Sequence, residues 1–478
     1  MKGKLIIVSY RLPYRFSVVK GKLRVTSSSG GLATALHSFF EQPQADADAF
    51  GAFHWVGVSD VSRAKFERAT DSRQIEDKGL TLHPVFIEGR DNDLFYNGFC
   101  NAVLWPLFHY FPSYVIYDSQ YFEVYKRVNQ LMADAIVELY SPGDTVWIHD
   151  YHFMLLPAML RQKLPDANVG FFLHIPFPAF ELFRILPRAW RTGILKGLLG
   201  SDVIGFHTED YASHFSDSVS RTLHRPTREG IIRIDGREVL VRHLPISIDV
   251  DKFQNASVLP AVKGEVKKIK NRFGNNTLVL SVDRLDYTKA IINRLESFEL
   301  FLKQNLRYRG KVTYLLLLVP TRDGIVKYRE NKRQVEVLIS RINGMYGSLT
   351  WTPIIYQHRS VDFKKLVALY SAADIALITP VRDGMNLVAK EFVSSRAHTD
   401  GVLILSETTG SASELQEALI VNPYDRQEIS AALLAAVQQP LEEQRQRMGA
   451  MQAHLRQHDV HHWVQEFMQQ LAHEPVGR

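Results

Sequence analysis

The feature that most constrains the fold is a pattern that occurs twice: short apolar runs separated by longer stretches of helical periodicity. In the first half the runs "KLIIVS", "PVFI", "TVWI", "VGFFL" and "DVIGF" alternate with helical stretches such as Gln120 to Tyr140 and Tyr211 to Leu223. The second half repeats the arrangement with "NTLVLSV", "VTYLLLLVP", "PIIY", "DIALIT", "GVLILS" and "ALIVN". Continuous apolar runs bounded by turn residues read as strands buried on both faces, which belong to parallel sheets covered by helices. The expected class is therefore α/β, with two doubly wound domains. At 478 residues, 46% of them hydrophobic, the chain exceeds what one core usually supports, which agrees with two. The seam falls near "LPISIDVDKF" (Leu244 to Phe253), giving expected segments 1–246 and 247–455. A last segment, 456–478, contains a helix with Val460, Trp463, Val464 and Phe467 on one face, which should pack back on a domain.

Composition excludes several function classes. Lys and Arg number 57 against 51 Asp and Glu, a net charge of +6. The densest basic run, Arg221 to Arg242, alternates with acids and the turn pairs "EG" and "DG", so it reads as a solvated hairpin. No stacking aromatics interleave those charges, and no nucleic-acid partner is expected. The single cysteine, Cys100, forbids an intrachain disulfide and reads as a small buried hydrophobe, consistent with a reducing cytoplasm. No apolar run approaches the roughly 18 residues of a membrane span, and "MKGKLIIVSY" reads as a first strand rather than a signal peptide. A cytoplasmic protein with no membrane partner is expected.

The chemistry concentrates where strands end. "SVDRLDYTKA" sets Arg284 and Lys289 just after an apolar strand, and open α/β sheets bind ligands outside the carboxyl ends of their strands. An anionic ligand is implied. "TPVRDGMNLVAKEF" has the same grammar: a strand, a charged Gly turn with Asp383 at its mouth, then a helix beginning near Met385 whose free N–H groups suit a phosphate. Glu391 lies one turn along from Leu387 and could accept from sugar hydroxyls, although a capping Asp383 and a solvated Glu391 would read the same way. "VSYR" ends the first strand at Arg11, and Gly30 and Gly31 precede another helix, a second candidate phosphate site. Tyr96, Trp105, Asp150 and His174 stand beside core-like runs; singly they read as core or rim residues, together as a sugar pocket. His458, His462 and Glu466 at four-residue spacing fit a solvated face better than a metal site, and the acidic pairs Asp46/Asp48 and Asp91/Asp93 read as solvated loop residues.

In order along nearly the whole chain, "WIHDYH", "FFLHIPFP", "VDRLDY.K", "RINGMYG", "TPVRDGMNLVAKE" and "VNPYD" resemble the trehalose-6-phosphate synthase family, the retaining GT-B glucosyltransferases of family 20. The resemblance implies two Rossmann-like domains facing across a cleft, the first binding the acceptor and the second the nucleotide sugar, with a C-terminal helix crossing back to the first. It implies no metal and no cofactor, a nucleotide-glucose donor (UDP-glucose in the first instance), glucose 6-phosphate as acceptor, a possible homo-oligomer and a separate phosphatase acting on the product.

Carried over position by position, the resemblance implies that Arg284 and Lys289 hold the donor diphosphate, that Asp383 and His174 contact the transferred glucose, and that Glu391 accepts from the ribose. The helix-start cradle would comprise Gly384, Met385, Asn386, Leu387 and Val388, with Val361 also in the donor site and Gly30 and Gly31 in a loop that closes on it. Arg11 and Arg322 would grip the acceptor phosphate, while Tyr96, Trp105 and Asp150 frame its sugar. No acid pair for double displacement is evident, and the family's usual account is a front-face substitution. Two positions depart from the family pattern: Tyr10 stands where Asn commonly precedes the Arg, and Ala290 where Gly usually follows the Lys, a matter of consequence if that backbone needs positive φ. A related branch makes glucosylglycerol phosphate, and "LPYRF" is similar to its amino-terminal wording, but "SSGGL" and "NAVLWPLFHY" favour the trehalose branch. A catalytically silent regulatory subunit would be expected to lack the diphosphate and sugar contacts, which are present here.

Overall fold

The structure, a computed structural model, describes residues 3–27, 36, 50–70, 74–77, 79–320 and 326–472. The chain divides into two compact units, one of Met1–Ile246 with Val460–Arg478 and one of Ser247–Asp459. The second unit thus runs past position 455, through the helix Leu441–Gln457, to Asp459, and the helix Val460–Ala472 belongs to the first.

Among the described residues the first unit is built on a ten-stranded sheet. Its strands are β1 (Lys4–Arg11), β4 (Ala52–Val58), β5 (Ile75–Asp77), β6 (Leu80–Val85), β7 (Thr145–His149), β8 (Asn168–Phe172), β9 (Val203–Phe206), β10 (Thr227–Arg228), β11 (Ile231–Ile234) and β12 (Arg237–His243), while β2 (Tyr14–Val19) and β3 (Lys22–Ser27) pair apart as a hairpin. The order is β10-β11-β12-β9-β8-β7-β1-β4-β6-β5, parallel from β12 to β6 and antiparallel only at the two edges. Every residue of β7 is buried, as a central parallel strand covered on both faces requires. The expected hairpin is β11–β12, turned by Asp235 and Gly236 at positive φ. β4 was not among the expected strands, because His54 and Gly57 interrupt its apolar run; His54 Nδ1 lies 2.8 Å from Nε2 of His83 on β6, so each imidazole satisfies the other. The strand expected over "PVFI" instead spans Leu80–Val85.

The acidic pair Asp91/Asp93 is not in a loop. Asp91 lies in the helix Gly89–Asn92 and accepts from Arg127 at 2.9 Å, and Asp93 opens a π-helical stretch, Asp93–Leu104. Asp46 and Asp48, like Gly30, Gly31 and Arg322, lie outside the described residues. The helix Val460–Ala472 buries Trp463 and Phe467 against β7 and β8, with Trp463 5.1 Å from the Trp147 ring and Phe467 4.7 Å from it. Two glycines make room for it. A Cβ at Gly170 would fall 2.6 Å from the Phe467 ring, and one at Gly205 would lie 3.0 Å from it.

The described residues of the second unit form six parallel strands: β13 (Thr277–Arg284), β14 (Val312–Val319), β15 (Ile354–His358), β16 (Ile375–Ile378), β17 (Val402–Ser406) and β18 (Leu419–Val421), in the order β15-β14-β13-β16-β17-β18. Buried hydrophobic clusters on both faces hold it, one including Leu280, Leu317, Phe392 and Leu405, the other Phe298, Leu316, Leu377 and Ile404. In each unit the chain reverses its winding beside one strand, β1 in the first and β13 in the second. Such switch points leave crevices at the carboxyl ends of the strands, where ligands of open α/β sheets bind.

Candidate active site

In the second unit, the loops leaving β13 and β16 meet at the switch point. β13 ends in Arg284, which is exposed; Asp286 then caps the turn Tyr287–Lys289 through Thr288 N–H at 3.0 Å and accepts from the Tyr328 hydroxyl at 2.9 Å. From β16, Val381 N–H donates to Thr288 carbonyl at 2.8 Å, tying the loops together. Lys289 forms an ion pair with Asp383, and Asp383 also accepts from the Asn386 amide at 3.0 Å. Beneath them Arg294 is fully buried, donating to Asp283 at 2.6 Å and to the Lys289 carbonyl at 2.8 Å. Removing one partner of such a buried pair strands a charge, so Arg294 fixes the Lys289 backbone.

The helix start differs in one respect from expectation. The helix is Leu387–Ser394, and its cap is Asn386, whose side chain accepts from Ala389 N–H at 3.1 Å; Asp383 does not cap it. Gly384 and Met385 are buried, Leu387 and Val388 rest partly on the core, and Val361 does the same from the loop between β15 and the helix Phe363–Ala372. A Cβ at Gly410 would strike the Gly384 carbonyl at 2.2 Å, so this glycine lets the loop after β17 close against the turn. Glu391 is half-buried, accepts from the Tyr370 hydroxyl at 2.7 Å, and is pushed up by burial to about 7, the tyrosine's hydrogen bond opposing the shift.

In the first unit, the switch point lies between β1 and β7. A bulge in β1 between Val8 and Arg11 breaks the strand's alternation, so that Tyr10 and Arg11 both reach Tyr96. Arg11 donates to the Tyr96 hydroxyl at 3.1 Å, and Tyr10 stacks between Tyr96 at 4.6 Å and His152 at 4.9 Å while donating to Asn92 at 2.8 Å. Trp105 is only 5% exposed and its ring rests 4.1 Å from His109 and 5.9 Å from Tyr151. Asp150, just past β7, has φ 76 and ψ 168, a region that is almost exclusively glycine's, and its amide donates to Phe172 carbonyl at 2.7 Å. Strain of that kind, of order 1–3 kcal/mol, persists where the side chain is needed. His174 follows β8 and lies 3.1 Å from His149.

The two switch points therefore gather the site residues into separate sets. Arg11, Tyr96, Asp150 and His174 stand at strand ends or on the π-helical stretch of the first unit, and Arg284, Lys289, Asp383 and Glu391 at one crevice of the second. Among the described residues no group of three or more His, Cys, Asp or Glu could hold a metal ion, and His462 pairs with Glu466 at 3.7 Å.

The glycosyltransferase family 20 model matches residues 3–473. The chain belongs to glycosyltransferase family 20. It is a retaining glycosyltransferase of the GT-B class, its two units each Rossmann-like. This family 20 member is 45% identical over 98% of its length to a bifunctional trehalose-6-phosphate synthase/phosphatase of Thermoproteus tenax, of which it spans 63%, and 38% identical to a UDP-forming α,α-trehalose-phosphate synthase of Pichia angusta, of which it spans 99%. A crystal structure of the UDP-forming synthase of Burkholderia xenovorans in complex with glucose-6-phosphate superposes with TM-score 0.87 at 33% identity, over 98% of this chain and 100% of that one.

Sequence reading of this glycosyltransferase missed Arg294, Tyr370 and Gly410, which act on the site through other residues. Their partners lie at separations that carry no local pattern. His149 is the residue before Asp150 in "WIHDYH", a motif whose apolar start makes it read as the end of a buried strand.

Proposed function

We propose that this family 20 enzyme is an α,α-trehalose-phosphate synthase, transferring glucose with retention from UDP-glucose to glucose 6-phosphate. The observation that carries the reading is the pairing of Lys289 with Asp383 where the loops of β13 and β16 meet, a cation and a carboxylate held together at a strand-end crevice. In this reading Arg284, Lys289 and the helix start from Gly384 to Val388 receive the diphosphate, Asp383 and His174 the glucose, Glu391 the ribose, and Val361 lines the donor site. Arg11 and Arg322 bind the acceptor phosphate and Tyr96, Trp105 and Asp150 its sugar, with Gly30 and Gly31 assigned to the donor. The UDP-forming relatives support the nucleotide, and the glucose-6-phosphate complex supports the acceptor.

As the anomeric carbon–oxygen bond of the donor breaks, negative charge grows on the leaving diphosphate, and preorganised Arg284 and Lys289 stabilise that charge more in the transition state than in the ground state. The acceptor's anomeric oxygen bonds the same carbon from the same face. Its proton passes to the departing phosphate oxygen, so no enzymic nucleophile is required. The product is a sugar phosphate that a phosphatase would consume, a coupling that the name of the Thermoproteus tenax relative supports. In this reading the reaction takes place in the cytoplasm, as the single cysteine suggests. No helix among the described residues is long and apolar enough to cross a membrane.

The test is UDP release from UDP-glucose with and without glucose 6-phosphate, with the product's linkage read by NMR. Release that requires glucose 6-phosphate and yields an α,α-1,1 linkage is expected. Release indifferent to the acceptor, or an inverted anomer, overturns the assignment.

A further inference from the structure

Three histidines stand side by side at the carboxyl ends of neighbouring strands: His149 at the end of β7, His174 after β8 and His207 after β9. His149 Nδ1 lies 3.1 Å from His174 Nε2, the His174 and His207 rings are 5.5 Å apart, and His207 Nδ1 accepts from Ile246 N–H at 3.5 Å. His149 is completely buried. Burial pushes His149 and His174 well below the ordinary imidazole value, and a neighbouring imidazole pushes each the same way, so both are neutral.

Two neutral imidazoles in hydrogen-bond contact have one proton between the facing nitrogens, which leaves two arrangements. His149 donates from Nδ1, or His174 donates from Nε2. The far nitrogen of His149 decides between them. Its Nε2 is buried with no hydrogen-bond partner among the described residues, and so are the indole nitrogens of Trp147 and Trp463, whose rings lie 4.4 Å and 6.4 Å from the His149 ring. An indole nitrogen can only donate. With its proton on Nε2, His149 would add a third buried donor to a cluster that offers no acceptor, and orphaned buried N–H groups are rare. With the proton on Nδ1, the same cluster holds two donors beside one lone pair, and Nδ1 has an acceptor within reach in His174.

We propose that His149 is a positioning residue that donates from Nδ1 to His174 Nε2 and thereby fixes His174 as the Nδ1–H tautomer, so that His174 offers its ligand a hydrogen-bond donor. The ligand half of this rests on the reading of His174 as a contact to the transferred glucose, in which case the group received is a hydroxyl oxygen acting as acceptor. Trp463, from the C-terminal helix, closes the cluster 6.1 Å from the His174 ring. The helix thus belongs to the support of His174 as well as to the unit's core.

The tautomer is read directly from long-range 1H–15N correlation on the full chain labelled with [15N]histidine, with His174 assigned by the signals lost in His174→Asn. A protonated Nδ1 and a bare Nε2 on His174 are expected; a proton on Nε2 overturns the proposal. Kinetics give the second arm. His149→Asn keeps an N–H near the position of Nδ1 and should hold kcat within about threefold, whereas His149→Phe should lower it about tenfold or more at little change in acceptor KM. Wild-type kcat in a folded His149→Phe overturns the positioning role. Full activity in His174→Asn with the Nδ1–H tautomer confirmed in the wild type would count against the sugar contact of His174 and leave the tautomer assignment standing.

Discussion

Lys289 and Asp383 lie 94 residues apart in the chain and form an ion pair where β13 and β16 run side by side. Both side chains are largely buried, and Asn386 bonds the same carboxylate oxygen of Asp383, so the ammonium, the carboxylate and the helix cap form one connected unit. An anion arriving at the crevice meets a cation whose position is already fixed, which is how preorganised charge acts on a leaving group.

Substituting Lys289 or Arg284 by alanine should therefore reduce turnover by about two powers of ten or more, because in the proposed reading each supplies a charge whose contact strengthens as the diphosphate departs. Far-ultraviolet circular dichroism should remain that of the parent. Steady-state UDP release measures the effect, and near-normal turnover in either folded variant would mark these residues as structural.

Glu391 would give the proposed donor site a pH dependence of definite sign. Its folded value, about 7, lies above the ordinary 4.5 because burial disfavours the carboxylate. The native state thus favours the protonated form, and the associated stability is fully present below the ordinary value and is lost as pH rises through about 7. Glu391→Gln should accordingly gain stability over the parent progressively across that interval. Hydroxyl recognition runs the opposite way, since the ionised carboxylate is the better acceptor, and donor KM should fall as pH rises through about 7. Tyr370→Phe removes the hydrogen bond that opposes the shift and should move the midpoint to higher pH. A donor KM that is flat from about pH 6 to about pH 8.5 in both proteins would sink the assignment of Glu391 to the donor.

Much of this architecture was legible because parallel strands are buried on both faces and read as unbroken apolar runs. β13, β14 and β16 were visible for that reason, and so were the charged residues where β13 and β16 stop. β4 was not, because its His54 is satisfied by His83 on another strand, and a pairing of that kind leaves no trace in local periodicity. Arg11, Lys289 and Asp383 could be named from their strand-end positions together with the family motifs. Arg294 and Tyr370 could not: Arg294 reads as one more helix charge until the fold buries it beneath Lys289, and Tyr370 acts through Glu391, 21 residues away.

Ala290 holds φ 51 and ψ 35, a left-handed conformation in which a Cβ crowds the following carbonyl. The position therefore requires the conformation that glycine adopts without strain. Ala290→Gly should stabilise the protein by about 1 kcal/mol, the relief of the left-handed strain exceeding the added freedom of the unfolded chain. Urea denaturation should show a higher midpoint at unchanged slope, with UDP release within about twofold of the parent. A lower midpoint would mean that the Ala290 methyl group, which is buried, contributes more by packing than it costs in strain.

Tyr10 adjoins the proposed acceptor site through the residues it stacks against. Its ring lies parallel to Tyr96 at 4.6 Å and to His152 at 4.9 Å, and its hydroxyl donates to Asn92 at 2.8 Å, at the start of the π-helical stretch that carries Tyr96. Burial pushes the Tyr10 phenol well above its ordinary value, so it stays a neutral donor across the working range. Tyr96 in turn accepts from Arg11 at 3.1 Å, so the stack sets where the guanidinium points. Tyr10→Ala should loosen Tyr96 and Arg11 together and raise the KM for glucose 6-phosphate by about tenfold, with donor KM nearly unchanged, because a misplaced guanidinium would lose the contact to the acceptor phosphate proposed for it. Tyr10→Phe keeps both stacking contacts and gives up only the bond to Asn92, so its KM should rise by no more than about threefold. Arg11→Ala combined with Tyr10→Ala should be little worse than Arg11→Ala alone, because Tyr10 acts through the arginine. Additive losses in that double variant would mean that Tyr10 touches the acceptor itself.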